Sequence, residues 1–124
     1  LSNWEKGFFR EAEPFGFILF ARNVTDRKQI KALTDQLRDV VGNINVPIFV
    51  DQEGGRVMRL KPPHWRKIPA AGIFGELFQT APENAREAAY VNARLMAADL
   101  REAGFNILRP GSGYPFSGDE RRCW

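Results

Sequence analysis

Apolar positions change spacing along the chain, and each change marks a predicted element. After Thr25, the residues Ile30, Leu33, Leu37, Val40 and Val41 recur at intervals of three and four. That spacing predicts an amphipathic helix capped by Thr25 and stopped by Gly42. Lys28, Lys31, Asp35 and Arg38, which fall between these positions, read as its solvated face. On either side the pattern collapses into short unbroken runs, residues 15–20 (FGFILF) and 47–50 (PIFV). Such runs are too short for helices and suit strands covered on both faces.

Residues 2–12 predict a short helix with Ser2 as N-cap and Glu5 completing a capping box, ended by Pro14. Thr80 and Glu83 suggest a second box, with Pro82 in the first turn of a helix over residues 85–102 that stops at Gly104. Ala88, Val91, Leu95 and Ala98 are its expected inward stripe, and residues 105–108 are the third strand. Between the second strand and this helix lies LKPPHWRKIPAAGIFGEL (residues 60–77), whose prolines and glycines predict a long irregular loop. A strand, a capped helix and a second strand within about 35 residues make a βαβ unit with an expected right-handed crossover.

Composition narrows the class without naming a function. The 124 residues are 44% hydrophobic and 27% charged, the balance of an ordinary globular domain. A net charge of +3, from 18 basic and 15 acidic residues, is too mild to imply nucleic acid, although cations prevail in residues 56–67. Cys123 is the only cysteine, so no internal disulfide framework is expected, which fits a reducing compartment; the cytoplasm is the expected location. The opening LSNWEKGFF is charged early and has no signal-peptide pattern. The apolar run 15–21 is about a third of the ~20 residues a membrane span needs, so no membrane is expected.

Candidate chemistry concentrates in residues 46–59, VPIFVDQEGGRVMR. Asp51 falls at the carboxyl end of a predicted buried strand, where parallel α/β folds place their ligands. Gly54 and Gly55 permit positive φ and a close main-chain approach, and Arg56 and Arg59 follow. Asp51 and Glu53 would lie ~6.6 Å apart on one side of an extended strand. That separation suits two carboxylates working on one bond, but both would approach from the same face, so they are not a catalytic pair. Glu53 reads as a structural partner of Arg56 or of the loop backbone. Arg22 and Asn23 read as turn residues. His64 is open to a role as general acid or ligand-stacking neighbour, but reads better as packed against Trp65. The GxGxxG and GxxxxGK patterns are missing, so the glycine pair is not a phosphate loop and an isomerase-like half barrel is disfavoured. The basic stretch around Trp65 lacks the repeated aromatics of a single-strand nucleic-acid groove.

Three motifs in order, FILFARN (residues 17–23), DQEGGRVMR (51–59) and RLKPPHWR (59–66), give the chain a resemblance to the bacterial β-N-acetylhexosaminidases of glycoside hydrolase family 3. It covers residues 15–107. The resemblance implies an α/β fold, a partial (β/α)8 TIM barrel with about the first three strands and two crossover helices, since a whole barrel needs at least ~200 residues. It implies residues 1–110 as the N-terminal part of the catalytic domain, and removal of terminal β-N-acetylglucosamine from peptidoglycan-derived muropeptides with retention. The nucleophilic aspartate and the histidine-bearing loop of the family lie outside these residues, so no catalytic residue is assigned and the fragment alone is expected to be inactive. By residue matching, Asp51 and Arg59 are the expected substrate-binding residues. No metal or organic cofactor is implied. The expected partners are N-acetylglucosamine-containing cell-wall sugars, and self-association through open barrel edges is a further expectation.

The sequence leaves the family pattern after Pro110. One added G behind a proline codon converts Pro-Val-Leu-Asp-Ile-Pro into Pro-Gly-Ser-Gly-Tyr-Pro, the sequence at 110–115, so residues 111–124 read as a frameshift product. A reading of another class stands beside the enzyme: a non-catalytic carbohydrate-binding or self-associating module.

Overall fold

A computed structural model describes residues 1–109; the tail assigned to a frameshift lies outside the described residues. The elements run α1 (Asn3–Ala12), β1 (Phe17–Leu19), a 3-10 turn (Ala21–Asn23), α2 (Arg27–Val41), β2 (Ile48–Asp51), α3 (Ala71–Phe78), α4 (Pro82–Glu102) and β3 (Ile107–Arg109). The strands form one parallel sheet in the order β1-β2-β3, with Ile18 beside Phe49 and Phe49 beside Ile107. An α/β chain with three parallel strands is what the hydrophobic pattern predicts. Each pair of strands is joined through helix, as parallel strands require.

Alternation along the strands sorts their side chains. Phe17, Leu19, Ile48 and Val50 are buried against Ile30 and Leu37 of α2, Leu100 of α4, and Phe105. Burying each such side chain contributes about 1.5–3 kcal/mol. Ile18, by contrast, is 44% exposed. β2 is therefore covered on its helical side, while the face bearing Ile18, Phe49 and Ile107 is open among the described residues, against the expectation of cover on both sides. β1 is also shorter than expected, and Phe15 stands outside it, 83% exposed.

Helix ends follow local chemistry. Ser2 and Glu5 form the predicted capping box on α1. α2 is capped by Asp26 rather than Thr25: Asp26 Oδ1 accepts the Gln29 N–H at 2.8 Å, while Thr25 N–H donates to Gln29 Oε1 at 2.9 Å. A carboxylate at the helix amino end also meets the helix dipole, which a hydroxyl does not. Gly42 closes α2 at φ 63° as predicted. α4 begins at Pro82 without a side-chain cap, because the Thr80 hydroxyl donates back to the Leu77 carbonyl and so leaves the second predicted box unformed.

Three further differences matter for the site. The loop predicted over 60–77 contains α3, eight residues that bury no side chain and pack beside α4. The inward face of α4 is not Ala88, Val91, Leu95 and Ala98, since Val91 is 46% and Leu95 42% exposed. Ala85, Asp99 and Leu100 are buried instead. Arg38 is not a solvated charge either: its side chain is 12% exposed. It donates to the carbonyls of Ile44, Thr34 and Gly104 at 3.1, 3.3 and 2.6 Å, tying α2 to the chain before β2 and before β3. Gly104 lies at φ 86°, and a Cβ there would meet Thr34 Oγ1 at 2.1 Å, so only glycine lets the chain pass between α4 and α2.

Candidate functional site

Asp51 ends β2 on the same side of the sheet as Phe49, one residue past the last buried position, Val50. Its carboxylate is half-buried, with a side chain 16% exposed, and Oδ2 lies 3.3 Å from Nη2 of Arg59, whose side chain is 24% exposed. The structure thus brings the two predicted binding residues together although eight positions separate them in sequence.

The intervening segment is fixed by its own main chain. Glu53 N–H donates to the Val57 carbonyl at 2.9 Å and Val57 N–H to Gly54 at 3.2 Å, closing a tight turn. Gly54 and Gly55 take φ 88° and 58°. A Cβ on Gly54 would meet the Pro69 carbonyl at 2.1 Å, and Gly55 N–H donates to Ile68 at 2.9 Å. The close approach expected of the glycine pair is therefore made, to the chain's own loop. Glu53 joins the loop backbone, among the described residues, through its main-chain N–H alone, not through its carboxylate. Among the described residues no ion pair joins it to Arg56, and both side chains are exposed.

Residues beyond the predicted set hold this segment and the loop that follows it. Gln52 is 1% exposed; its amide accepts from Arg59 N–H at 2.7 Å and Leu60 N–H at 3.1 Å and donates to the Leu60 carbonyl at 2.9 Å. Arg66 pairs with Asp99 of α4 through two contacts, Nε to Oδ2 at 2.7 Å and Nη2 to Oδ1 at 3.1 Å. Arg27 of α2 donates to the His64 carbonyl at 2.6 Å, pairs with Glu102 at 2.8 Å and lies over the Trp65 ring. Trp65 itself is buried in the core. The only sequence signal for this set is a carboxylate, Asp99, placed between apolar positions of a helix, which calls for a cation from elsewhere.

His64 is exposed, with its ring edge-on to Trp65 at 5.9 Å, as the packed reading predicts. Asn23 and Arg22 are turn residues as read: Asn23 Oδ1 accepts the Phe20 N–H at 2.9 Å and Arg22 lies over the Phe20 ring. A surface hollow of about 400 Å³, lined by Arg38, Arg101 and Asn106 among others, sits at the amino ends of the strands, away from Asp51. Among the described residues no cluster of three metal-ligating side chains occurs, and no helix is long and apolar enough to cross a membrane.

Chemically, the site offers a rigidly held acceptor beside a cation, at the carboxyl end of the central strand. A carboxylate accepts two hydroxyl hydrogen bonds at once, and charge-assisted bonds are about twice as strong as neutral ones. Fold and site together define a parallel α/β protein with a carboxylate–guanidinium pair at the carboxyl end of its central strand.

Comparison with known proteins makes that class particular. No family model matches the chain. It is 36% identical over 107 residues to the β-hexosaminidase of Bordetella avium strain 197N, covering 86% of this chain and 30% of that one. It is 41% identical over 92 residues to the β-hexosaminidase of Methylobacillus flagellatus, covering 74% of this chain and 26% of the relative. Among solved structures it superposes on NagZ from Neisseria gonorrhoeae with a TM-score of 0.77 at 30% identity, covering 85% of this chain and 30% of NagZ. A glycoside hydrolase family 3 β-N-acetylglucosaminidase from Paenibacillus sp. str. FPU-7 gives 0.74 at 27% identity, with 86% of this chain and 20% of that one covered. The chain is similar to β-hexosaminidases, with a glycoside hydrolase family 3 enzyme among its structural neighbours, and spans about 30% of the length of the curated relatives it matches.

Proposed function

We propose that these residues form the sugar-recognising beginning of a (β/α)8 barrel whose whole is a retaining β-N-acetylhexosaminidase, with no metal or organic cofactor. Its substrate is a terminal β-linked N-acetylglucosamine on peptidoglycan-derived muropeptides, met in the cytoplasm. Asp51 accepts hydrogen bonds from the sugar hydroxyls and Arg59 donates beside it. The observation that carries the reading is the Asp51–Arg59 pair at the end of β2, held by a locked loop. Relatives named β-hexosaminidase, and a gonococcal NagZ structure holding N-trifluoroacetyl-D-glucosamine, support the sugar class.

The 124 residues by themselves bind sugar weakly and turn over nothing. Ground-state contacts without the nucleophile of the two-step mechanism supply no transition-state stabilisation. A second reading, a non-catalytic module that self-associates or binds carbohydrate, draws on the open sheet face, where Ile18 is 44% exposed. Hydrolysis of a chromogenic N-acetyl-β-glucosaminide by this chain, and by a version with the reading frame restored after Pro110, separates the two. Activity in the restored chain alone supports the enzyme. Activity in the short chain places a nucleophile within these residues and refutes the assignment of Asp51 to binding only, while silence in both favours the module.

A further inference from the structure

We propose that Gln52 is the positioning residue of this site, setting the Arg59 guanidinium against the Asp51 carboxylate; the role rests on the sugar-binding reading above. Burial alternates along the strand from Ile48 to Gln52, so Asp51 and Gln52 point to opposite sides of the chain. Asp51 faces the open side of the sheet and Gln52 the packed side.

Each grips one end of the same residue. The Gln52 amide oxygen takes the Arg59 N–H at 2.7 Å, fixing the root of the side chain, and Asp51 Oδ2 receives its head at 3.3 Å. The remaining bonds of the amide, both to Leu60, stop that segment from sliding along the strand. One side chain therefore supplies what a neighbouring strand would, an acceptor for two N–H groups and a donor for one carbonyl. Leu60 is 1% exposed, so without Gln52 its main-chain groups have no water to turn to. No other residue type satisfies all three: asparagine is one methylene short, glutamate has no donor for the carbonyl, and methionine has neither group.

The test uses the full 124-residue chain labelled with nitrogen-15, with Gln52→Met, Gln52→Glu and Asp51→Asn, each titrated with N-acetylglucosamine. Amide exchange is read at Arg59 and Leu60, with Val50 as internal control. In Gln52→Met, exchange at both amides should rise about tenfold or more with Val50 unchanged, and sugar affinity should fall about tenfold. Gln52→Glu, which keeps both N–H acceptors, should retain amide protection and bind with intermediate affinity. Asp51→Asn should weaken sugar binding while leaving the amides protected. A folded Gln52→Met chain with wild-type sugar affinity overturns the positioning role and leaves the sugar reading standing. If Gln52→Met does not fold, Gln52→Asn, one methylene short of the Arg59 N–H, takes its place, and wild-type affinity with both amides unprotected overturns the role. A wild-type chain that binds no N-acetylglucosamine overturns the sugar reading, and the positioning role with it.

Discussion

Removing Arg66 should cost more stability than removing its partner Asp99, although each deletion breaks the same pair. The carboxylate of Asp99 is 7% exposed and the guanidinium of Arg66 43% exposed. In Arg66→Ala the carboxylate stays behind, buried on the inner face of α4, and must be hydrated through the gap left by the departed side chain. Full burial of an orphaned charge costs about 3–5 kcal/mol and loss of an exposed pair about 0–1. With one partner buried and one half in water, about 2 kcal/mol is expected, between those limits. In Asp99→Ala the arginine simply turns outward, and alanine is the better helix former by about 0.5 kcal/mol. About 1 kcal/mol is then expected. Glu102→Ala removes an exposed pair whose side chains are 41% and 62% accessible, and should cost less still. Urea unfolding at pH 7, followed by the fluorescence of the buried Trp65, reads the midpoints, with the slope expected to stay constant across the set. Equal costs for the two deletions, or a larger one for Asp99→Ala, would refute the argument that the buried partner sets the penalty.

Other expectations are quickly checked. Gly104→Ala places a Cβ 2.1 Å from Thr34 Oγ1 at a φ of 86°, so it should lower the urea midpoint by the equivalent of about 2 kcal/mol or more; a neutral result would mean that α2 and α4 move apart freely. Leu95→Lys should change stability by less than about 0.5 kcal/mol because Leu95 faces outward, whereas an inward leucine would cost about 2–5. The Ser2 N–H, and then its hydroxyl, hold the Glu5 carboxyl below its ordinary value of 4.5. The unfolded chain therefore takes up that proton first, and the capping contribution is present above pH 4.5 and lost as pH falls through the lower folded value. Exchange of the Glu5 amide should speed up across that window, and Glu5→Gln should remove the dependence.

Much of the fold was legible because burial imposes a period. The stripe of α2, with Ile30, Leu37 and Val40 buried, follows from spacing alone. So do the three strand runs and the position of Asp51. The misread parts are those where polarity stopped predicting burial. Arg38 and Asp99 are charged yet enclosed, each because a partner distant in sequence reaches it: Gly104 for one, Arg66 for the other. The stripe of α4 was read about 100° out of phase, one residue of helix, because alanine is spread around that helix and the inward face carries Asp99. α3 was hidden by Gly72 and Gly75 and by having no buried side of its own. Gln52 gave no signal: a glutamine beside a carboxylate looks solvent-facing until the chain folds back eight residues later. The sequence motifs pointed to the Asp51–Arg59 segment, and the long-range bonds that stiffen it had to be seen.

The locking of this loop bears on how portable the site is. Its two ends are fastened at Gln52 and at Ile68, but its middle is fastened elsewhere, to α2 through Arg27 and to α4 through Asp99, with Trp65 seated in the core. Residues 51–70 moved into another parallel sheet would carry the carboxylate, the arginine and the Gln52 bonds between them, but not the anchors on α2 and α4 that hold the rest of the loop. The unit of inheritance is two strands, the helix that joins them and the carboxyl-terminal turn of α4. Recombination that separates that turn from the loop would preserve every motif residue and release the middle of the loop.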